Sequence, residues 1–469
     1  MAFPTAPDGF VTLEVLTEWQ QQLDRRGLRA TGSDAHADYI DDLARRLAEA
    51  GVDGVTTEAV PMRRWTPEQW SLSAGGADIR IISPVSYSGS TGPEGINGPL
   101  SGEPAPGVIG VVRVTLPPYN AGMFDMLDWG APALPVHPEG YDSTEPYERI
   151  WLSQDEMRAQ LARFVAGGAA GLIISVDLPA DELTDAYLLY DGVHRGLPAL
   201  FVGREVGDAL LARIGETATL TLEASIDEVE THNVLGLIPG ASDEIIVVQS
   251  HTDGPNGLED NGPEAIIAMA EHLARLPRGE LDRSILILLT TGHFAIEEAW
   301  GVEAFLATHR DDMVPRIAAA LCLEHLGARV APEGWSGHRD DQDYEFGCCF
   351  TTHHEPVIVA MRRALDAAEV TATRVVRPFV PDLTGRSPDG LTWPGDGCPF
   401  WHAAGLPAAN FITGPGYLLN AEPVAHLIDI EALRRQLVAF TTAVRELSSV
   451  PWKQLRGSER ERASSSATR

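Results

Sequence analysis

The chain has 469 residues, 44% of them hydrophobic and 22% charged, a globular composition that excludes general disorder and allows about two to three domains. Its 67 acidic residues against 35 basic ones leave a formal net charge of -32, which repels a phosphate backbone and argues against nucleic acid as a partner. Lys453 is the only lysine, so no polybasic cluster faces anionic lipid, and no apolar run reaches the roughly 18 residues a bilayer crossing needs. Residues 1–10 lack a cationic start and an apolar signal core, so the expected location is cytoplasmic. Cys322, Cys348, Cys349 and Cys398 are too few in so long a chain for a disulfide framework, and free thiols are expected.

Across residues 13–51 the apolar positions Leu16, Trp19 and Leu23, then Tyr39, Leu43 and Leu47, recur at three- and four-residue spacing and predict two amphipathic helices. Arg29 to Ser33 reads as a turn between them, with Ser33 or Asp34 as the cap of the second helix. Residues 72–228 are richer in Gly, Pro, Val and Ile, with strand-like runs at 108–114, 171–176 and 199–202, and predict a separate β-rich module. Within it, residues 123–149 combine prolines, acids and aromatics without periodicity, as in a long lid-like loop. The division expected is therefore 1–71 with 229–456 as one discontinuous domain, 72–228 as an insertion, and 457–469 as a disordered tail.

From residue 233 onward apolar runs alternate with amphipathic stretches: 244–249, 264–276, 285–290, 302–309 and 317–323. That alternation predicts an α/β fold with a mainly parallel, mixed sheet flanked by helices. Ligands of such sheets bind beyond the carboxyl ends of the strands, so the polar residues that follow each run are the candidates. They are His251, His293 and Glu324, with Asp260 just before a predicted helix. An imidazole and two carboxylates at one sheet edge, His251, Asp260 and Glu324, suit a zinc ion that keeps one position open for water. Asp253, two residues beyond His251, is suited to accept the second N–H of a ligating imidazole.

His251-Thr252-Asp253, Asp260-Asn261-Gly262, Leu323-Glu324-His325-Leu326-Gly327, and Pro399-Phe400 with Ala404-Gly405-Leu406-Pro407-Ala408 stand in an order and spacing that resemble the M28 zinc aminopeptidases. Arg29 to Ser33 and Asn233-Val234-Leu235-Gly236 fit the same resemblance. Residues 167–174 and 197–202 resemble the protease-associated (PA) domain inserted in many M28 members. The family holds two zinc ions around a bridging aspartate, and the resemblance implies that Asp260 takes that place with His251 and Glu324 completing the first metal's ligands. The second site is altered: counted from the preceding strand, the family's glutamate pair falls on His293-Phe294, and its late histidine falls near Leu419. Counted back from Gly301 the pair falls nearer Ala295 to Glu298, where Glu297 and Glu298 are substitute ligands or acid–base groups. His325 is a further alternative ligand.

The resulting expectation is a metal-dependent hydrolase of a peptide-like or small-molecule amide bond, with one zinc ion and a doubtful second, and with His293 as general base. Three alternatives stand beside it: a non-catalytic binding scaffold, a single-zinc cyclase-type transferase, and a metal-free acid–base enzyme using His293, Glu297 and Glu298. His353 and His354 form another pair that could take part in a rearranged coordination, and His402, His426, Asp396, Trp393 and Trp401 fall in the region where the resemblance places the substrate pocket. A peptide-like or small-molecule substrate, no membrane partner and a homodimer complete the expectations.

Overall fold

The computed structural model describes residues 9–129, 143–277, 279–330 and 345–457. The expected tail beyond Gly457, and the middle of the expected loop at 123–149, lie outside these residues; the described start of that loop holds a short helix, Gly122–Leu127.

Helices α1 (Leu13–Arg25) and α2 (Asp34–Glu49) form where the apolar spacing predicts them. Leu16, Leu23, Tyr39, Leu43 and Leu47 are buried, while Trp19 is half-buried with the Arg46 guanidinium 4.4 Å from its ring centre. The cap of α2 is Ser33, whose hydroxyl accepts from the His36 amide at 3.2 Å. A short side-chain oxygen in extended backbone is what the open end of a helix requires.

Two strands of 22 residues each, β1 (Asp53–Ala74) and β6 (Thr217–Ile238), run antiparallel along almost their whole length. Between them in sequence lie β2 (Ile96–Ser101), β3 (Ile109–Val114), β4 (Gly171–Val176) and β5 (Ala199–Val202), with α3 (Gln154–Ala166) and α4 (Arg204–Leu211). Beyond them come β7 (Ser242–His251), α5 (Gly262–Leu273), β8 (Arg283–Thr290), β9 (Ile317–Leu323), β10 (Gly347–Thr351), α6 (Glu355–Ala367), β11 (Thr373–Val376), β12 (Ala408–Ile412) and α7 (Ile430–Ser449).

The main sheet runs β11-β10-β12-β9-β7-β8-β6-β2-β3-β4-β5. Strands β8, β7, β9 and β12 are mutually parallel, and β6 closes against β8 antiparallel. Their residues are almost all buried, because a parallel sheet covered on both faces admits no polar side, which is why they read as unbroken apolar runs. Helix α5 is buried nearly all round and apolar to match.

The middle stretch is α/β and not simply β-rich. Strands β3, β4 and β5 are parallel, and parallel neighbours need a crossover, which α3 supplies between β3 and β4. The expected boundaries at 71/72 and 228/229 fall inside β1 and β6, whose pairing runs from one half of the sheet to the other with an irregularity at Pro67–Gln69. Among the described residues, no helix is long and apolar enough to cross a membrane.

Candidate metal centre

His251 ends β7, His293 follows β8 after a Thr290-Thr291-Gly292 turn, and Glu324 and His325 follow β9. The turn into His293 depends on Gly292, at φ +86°, where a Cβ would lie 1.8 Å from the Ala299 carbonyl oxygen. Glu259 enters from the loop that leads into α5. His325 sits at φ +56°, a left-handed conformation uncommon outside glycine and a reason to suspect function.

Backbone carbonyls fix the tautomers of two imidazoles. His251 Nδ1 is 2.9 Å from the Asp253 carbonyl oxygen, and His325 Nδ1 is 2.7 Å from that of Thr413. A carbonyl only accepts, so each Nδ1 carries a hydrogen and each Nε2 is turned inward. Glu324 is arranged to the same end: its Oε1 accepts from the Asp396 amide at 2.8 Å, Asn410 Nδ2 at 3.0 Å and Cys322 Sγ at 3.0 Å, and its Oε2 stays without a donor.

Four buried atoms of the cluster are thereby left without hydrogen-bond partners: His251 Nε2, Glu259 Oε2, Glu324 Oε2 and His325 Nε2. His251 Nε2 lies 3.6 Å from Glu259 Oε2 and 4.0 Å from Glu324 Oε2, and His325 Nε2 lies 3.3 Å from Glu259 Oε1. Ligands about 2.0–2.1 Å from a tetrahedral zinc ion stand about 3.3 Å apart, close to these separations. Among the described residues, two ligand groups emerge, His251–Glu259–His325 and His251–His293–Glu324. The two groups share His251.

Burial opposes charge throughout the cluster. It pushes His251 well below the ordinary histidine range, helped by the neighbouring His293 and His325, which keeps the lone pair available. It raises Glu259 against the pull of His293 and His325, and raises Glu324, where Asp396 adds to the effect. At His325 burial works against a proton, but Glu259 and Glu324 outweigh it and the pKa rises. A metal ion answers the same demand of these carboxylates for positive charge.

His293 stands at the edge. Its Nδ1 is 2.8 Å from Asp396 Oδ1 and its Nε2 is 3.5 Å from Glu259 Oε1. Asp396 is itself held by Trp300 Nε1 at 2.9 Å. Burial lowers the affinity of His293 for a proton, but Asp396 and then Glu259 overcome it and the pKa stands well above the usual value. The side chain keeps 8% exposure where His251 has none.

No protein-family model matches the chain. Its structure superposes on a zinc aminopeptidase from Bacillus subtilis with a TM-score of 0.62 at 18% identity, covering 92% of this chain and 94% of the other. It superposes on a peptidase M28 precursor from Shewanella amazonensis with a TM-score of 0.62 at 16% identity, covering 93% and 97%. An aminopeptidase from Aneurinibacillus gives 0.58 at 15% identity over 92% and 93%. The chain has the fold of the M28 zinc aminopeptidases. A probable lipoprotein aminopeptidase of Mycobacterium tuberculosis is 27% identical over 261 residues, a match that spans 54% of this chain and 46% of that relative.

Within the M28 fold, the expected site residues are placed as follows. Both oxygens of Asp260 are taken by Arg29, and Asp260 belongs to neither ligand group; its neighbour Glu259 faces the cluster instead. Asp253 supports the site differently than expected. Its backbone carbonyl serves His251, while its carboxylate accepts from Thr31 Oγ1 at 2.6 Å, the Phe294 amide at 2.9 Å and the His293 amide at 3.3 Å. Glu298 is paired with Arg63 and Glu297 is exposed, so neither enters the site. Phe294 and Leu419 are buried in the apolar core. His402 pairs with Glu303, His426 is exposed, and His353 and His354 stack on each other beside Trp401. Trp393 donates to Asn410, which in turn holds Glu324.

Residues 29–36 brace the whole arrangement. The Arg29 backbone pairs with Gly254, its Nη2 donates to the Asn256 carbonyl at 2.8 Å, and His36 Nε2 meets Thr252 Oγ1 at 2.8 Å. Asn261 locks the β9 turn by exchanging hydrogen bonds with the backbone of Leu326. A cavity of about 270 Å³ is lined by Phe124, Tyr147, Trp151, Phe346, Phe350 and Ile412, with none of the cluster residues in its wall. Thr413, the hydrogen-bond partner of His325, and Pro394 also line it.

Proposed function

We propose that this protein is a hydrolase of peptide-like amide bonds that works with one zinc ion held by His251, Glu259, Glu324 and His325. The observation that carries the reading is a buried cluster of imidazoles and carboxylates in which His251 Nε2, Glu259 Oε2, Glu324 Oε2 and His325 Nε2 lack hydrogen-bond partners, a want that a bound cation would meet. When bound, the ion supplies Lewis-acid polarisation of a carbonyl and activation of water. His293 is the proton carrier. Held protonated between Asp396 and Glu259, His293 gives its Nε2 proton to the nitrogen as the C–N bond breaks, and the proton lost by the attacking water takes its place. Asp396 holds Nδ1 and so keeps Nε2 directed at the reacting atoms. The aromatic cavity beside Thr413 suits a large apolar side chain next to the bond cleaved.

The likeness in fold to zinc aminopeptidases supports a peptide-like substrate. The test is zinc per chain by elemental mass spectrometry on the whole protein, then turnover on a panel of aminoacyl- and N-acyl-p-nitroanilides. One zinc ion, lost in Glu259→Gln and in Glu324→Gln, with preference for bulky apolar residues, is the expected result. No zinc after reconstitution rejects the reading and leaves a binding scaffold as the better account.

A further inference from the structure

The proton carrier proposed above is one plate of a three-ring stack. His293 lies on His251 with centroids 4.1 Å apart and planes 13° from parallel. Its other face is covered by Tyr190, 5.4 Å away and inclined by 20°. Tyr190 comes from the stretch between β4 and β5, far in sequence from both histidines and on the opposite side of β6 in the sheet order.

That stretch is pinned against the metal-centre half on both sides of Tyr190. The Tyr187 amide donates to the Leu419 carbonyl at 2.8 Å, and the Glu297 amide donates to the Asp191 carbonyl at 2.8 Å. Gly192, at φ +75°, passes so close to Ala295 that a Cβ would lie 2.8 Å from the Ala295 carbonyl carbon. The Asp191 carboxylate is itself held by Arg158 at 2.9 Å and by Arg195 at 2.7 Å. Tyr190 also packs on Phe294, with ring centroids 4.9 Å apart.

We infer that Tyr190 is a positioning residue of this site: its ring holds the His293 imidazole flat against His251, so that Nδ1 stays on Asp396 and Nε2 stays turned toward Glu259. The middle stretch thus completes the centre and does not merely flank it. The imidazole turns about its Cβ–Cγ bond, and beside the Asp396 hydrogen bond the contacts on its faces restrain that rotation. The inference rests on the reading of His293 as proton carrier.

The test uses the zinc-loaded whole chain with Tyr190→Phe and Tyr190→Ala, and Tyr190→Leu should the alanine variant fail to fold. Loss of the ring is expected to lower kcat about tenfold to a hundredfold with KM little changed, as for a displaced catalytic group, while Phe retains most activity. Zinc content should be the same in all. Carbethoxylation of His293 by diethyl pyrocarbonate, read by peptide mass spectrometry, should rise in the Ala or Leu variant and stay low with Phe. Unchanged kcat and unchanged labelling overturn the inference, and so does a kcat loss that merely follows loss of zinc. If the wild-type chain cleaves no substrate, the functional reading fails by itself, and the labelling contrast still decides whether Tyr190 restrains His293.

Discussion

Arg29 and Asp260 form a two-pronged ion pair, Nε to Oδ2 at 2.6 Å and Nη2 to Oδ1 at 2.5 Å, with neither side chain exposed. Burial alone would push charge off both groups. Their mutual attraction offsets it enough to hold the pKa of Arg29 above its ordinary value, while Asp260 stays raised by burial despite Arg29. Removing one partner strands a buried charge. Arg29→Met should cost about 3–5 kcal/mol in urea unfolding, and Arg29→Met with Asp260→Asn should recover part of that loss. A cost near zero for the single variant means the pair is not formed as described.

The same pair separates two adjacent carboxylates. Glu259→Gln should weaken zinc binding by more than the roughly 10- to 100-fold that loss of an outer partner produces. Asp260→Asn should keep its zinc and lose stability instead. Competition with a chelator of known affinity measures both, and the reverse order of effects returns Asp260 to the coordination set.

His293→Ala should reduce kcat by about 10²- to 10⁴-fold with zinc content intact, the usual worth of a positioned acid–base group. Asp396→Asn should act in the same direction, because an amide in place of the carboxylate no longer fixes which ring nitrogen carries the hydrogen. Full turnover in His293→Ala rejects the role.

Acid should destabilise the protein through His36. Burial, then Arg29 and His232, lower its pKa from 6.5 to about 3. Below pH about 6.5 the unfolded chain takes up a proton that the folded chain refuses, so stability is full above that pH and drains as the pH falls toward 3. The contribution is on the order of 4 kcal/mol at the acid end. Unfolding free energies measured across this window should fall less steeply in His36→Gln than in the wild type, and parallel curves would exclude His36 as the source.

The sheet was legible because residues such as Ile245 to Val248 and Ile285 to Leu289 are buried on both faces, which leaves an unbroken apolar signature in the chain. His251, His293 and Glu324 were legible for a related reason: each is a polar residue where such a run stops. Glu259 was not. It adjoins Asp260 in an irregular loop, and which of the two turns inward is decided by Arg29, 231 positions earlier than Asp260. Arg29 itself reads as part of a turn until its guanidinium is seen beneath that loop. His325 was legible only as an alternative, because its inward turn depends on a left-handed backbone angle that histidine rarely adopts. Tyr190 left no trace, since its loop has no period and the ring it touches is about a hundred residues away in sequence.

The long pairing of β1 with β6 has a consequence for anyone wishing to shorten this chain. A strand that keeps its hydrogen bonds while leaving one half of a sheet and entering the other is a girder without a joint. Cutting at 71 and 229 severs β6 in mid-span and β1 near its end, stripping Arg63 to Ser71 of their partners and unseating whatever the removed half presses against the remaining core. The two halves are better treated as one casting than as modules to be exchanged.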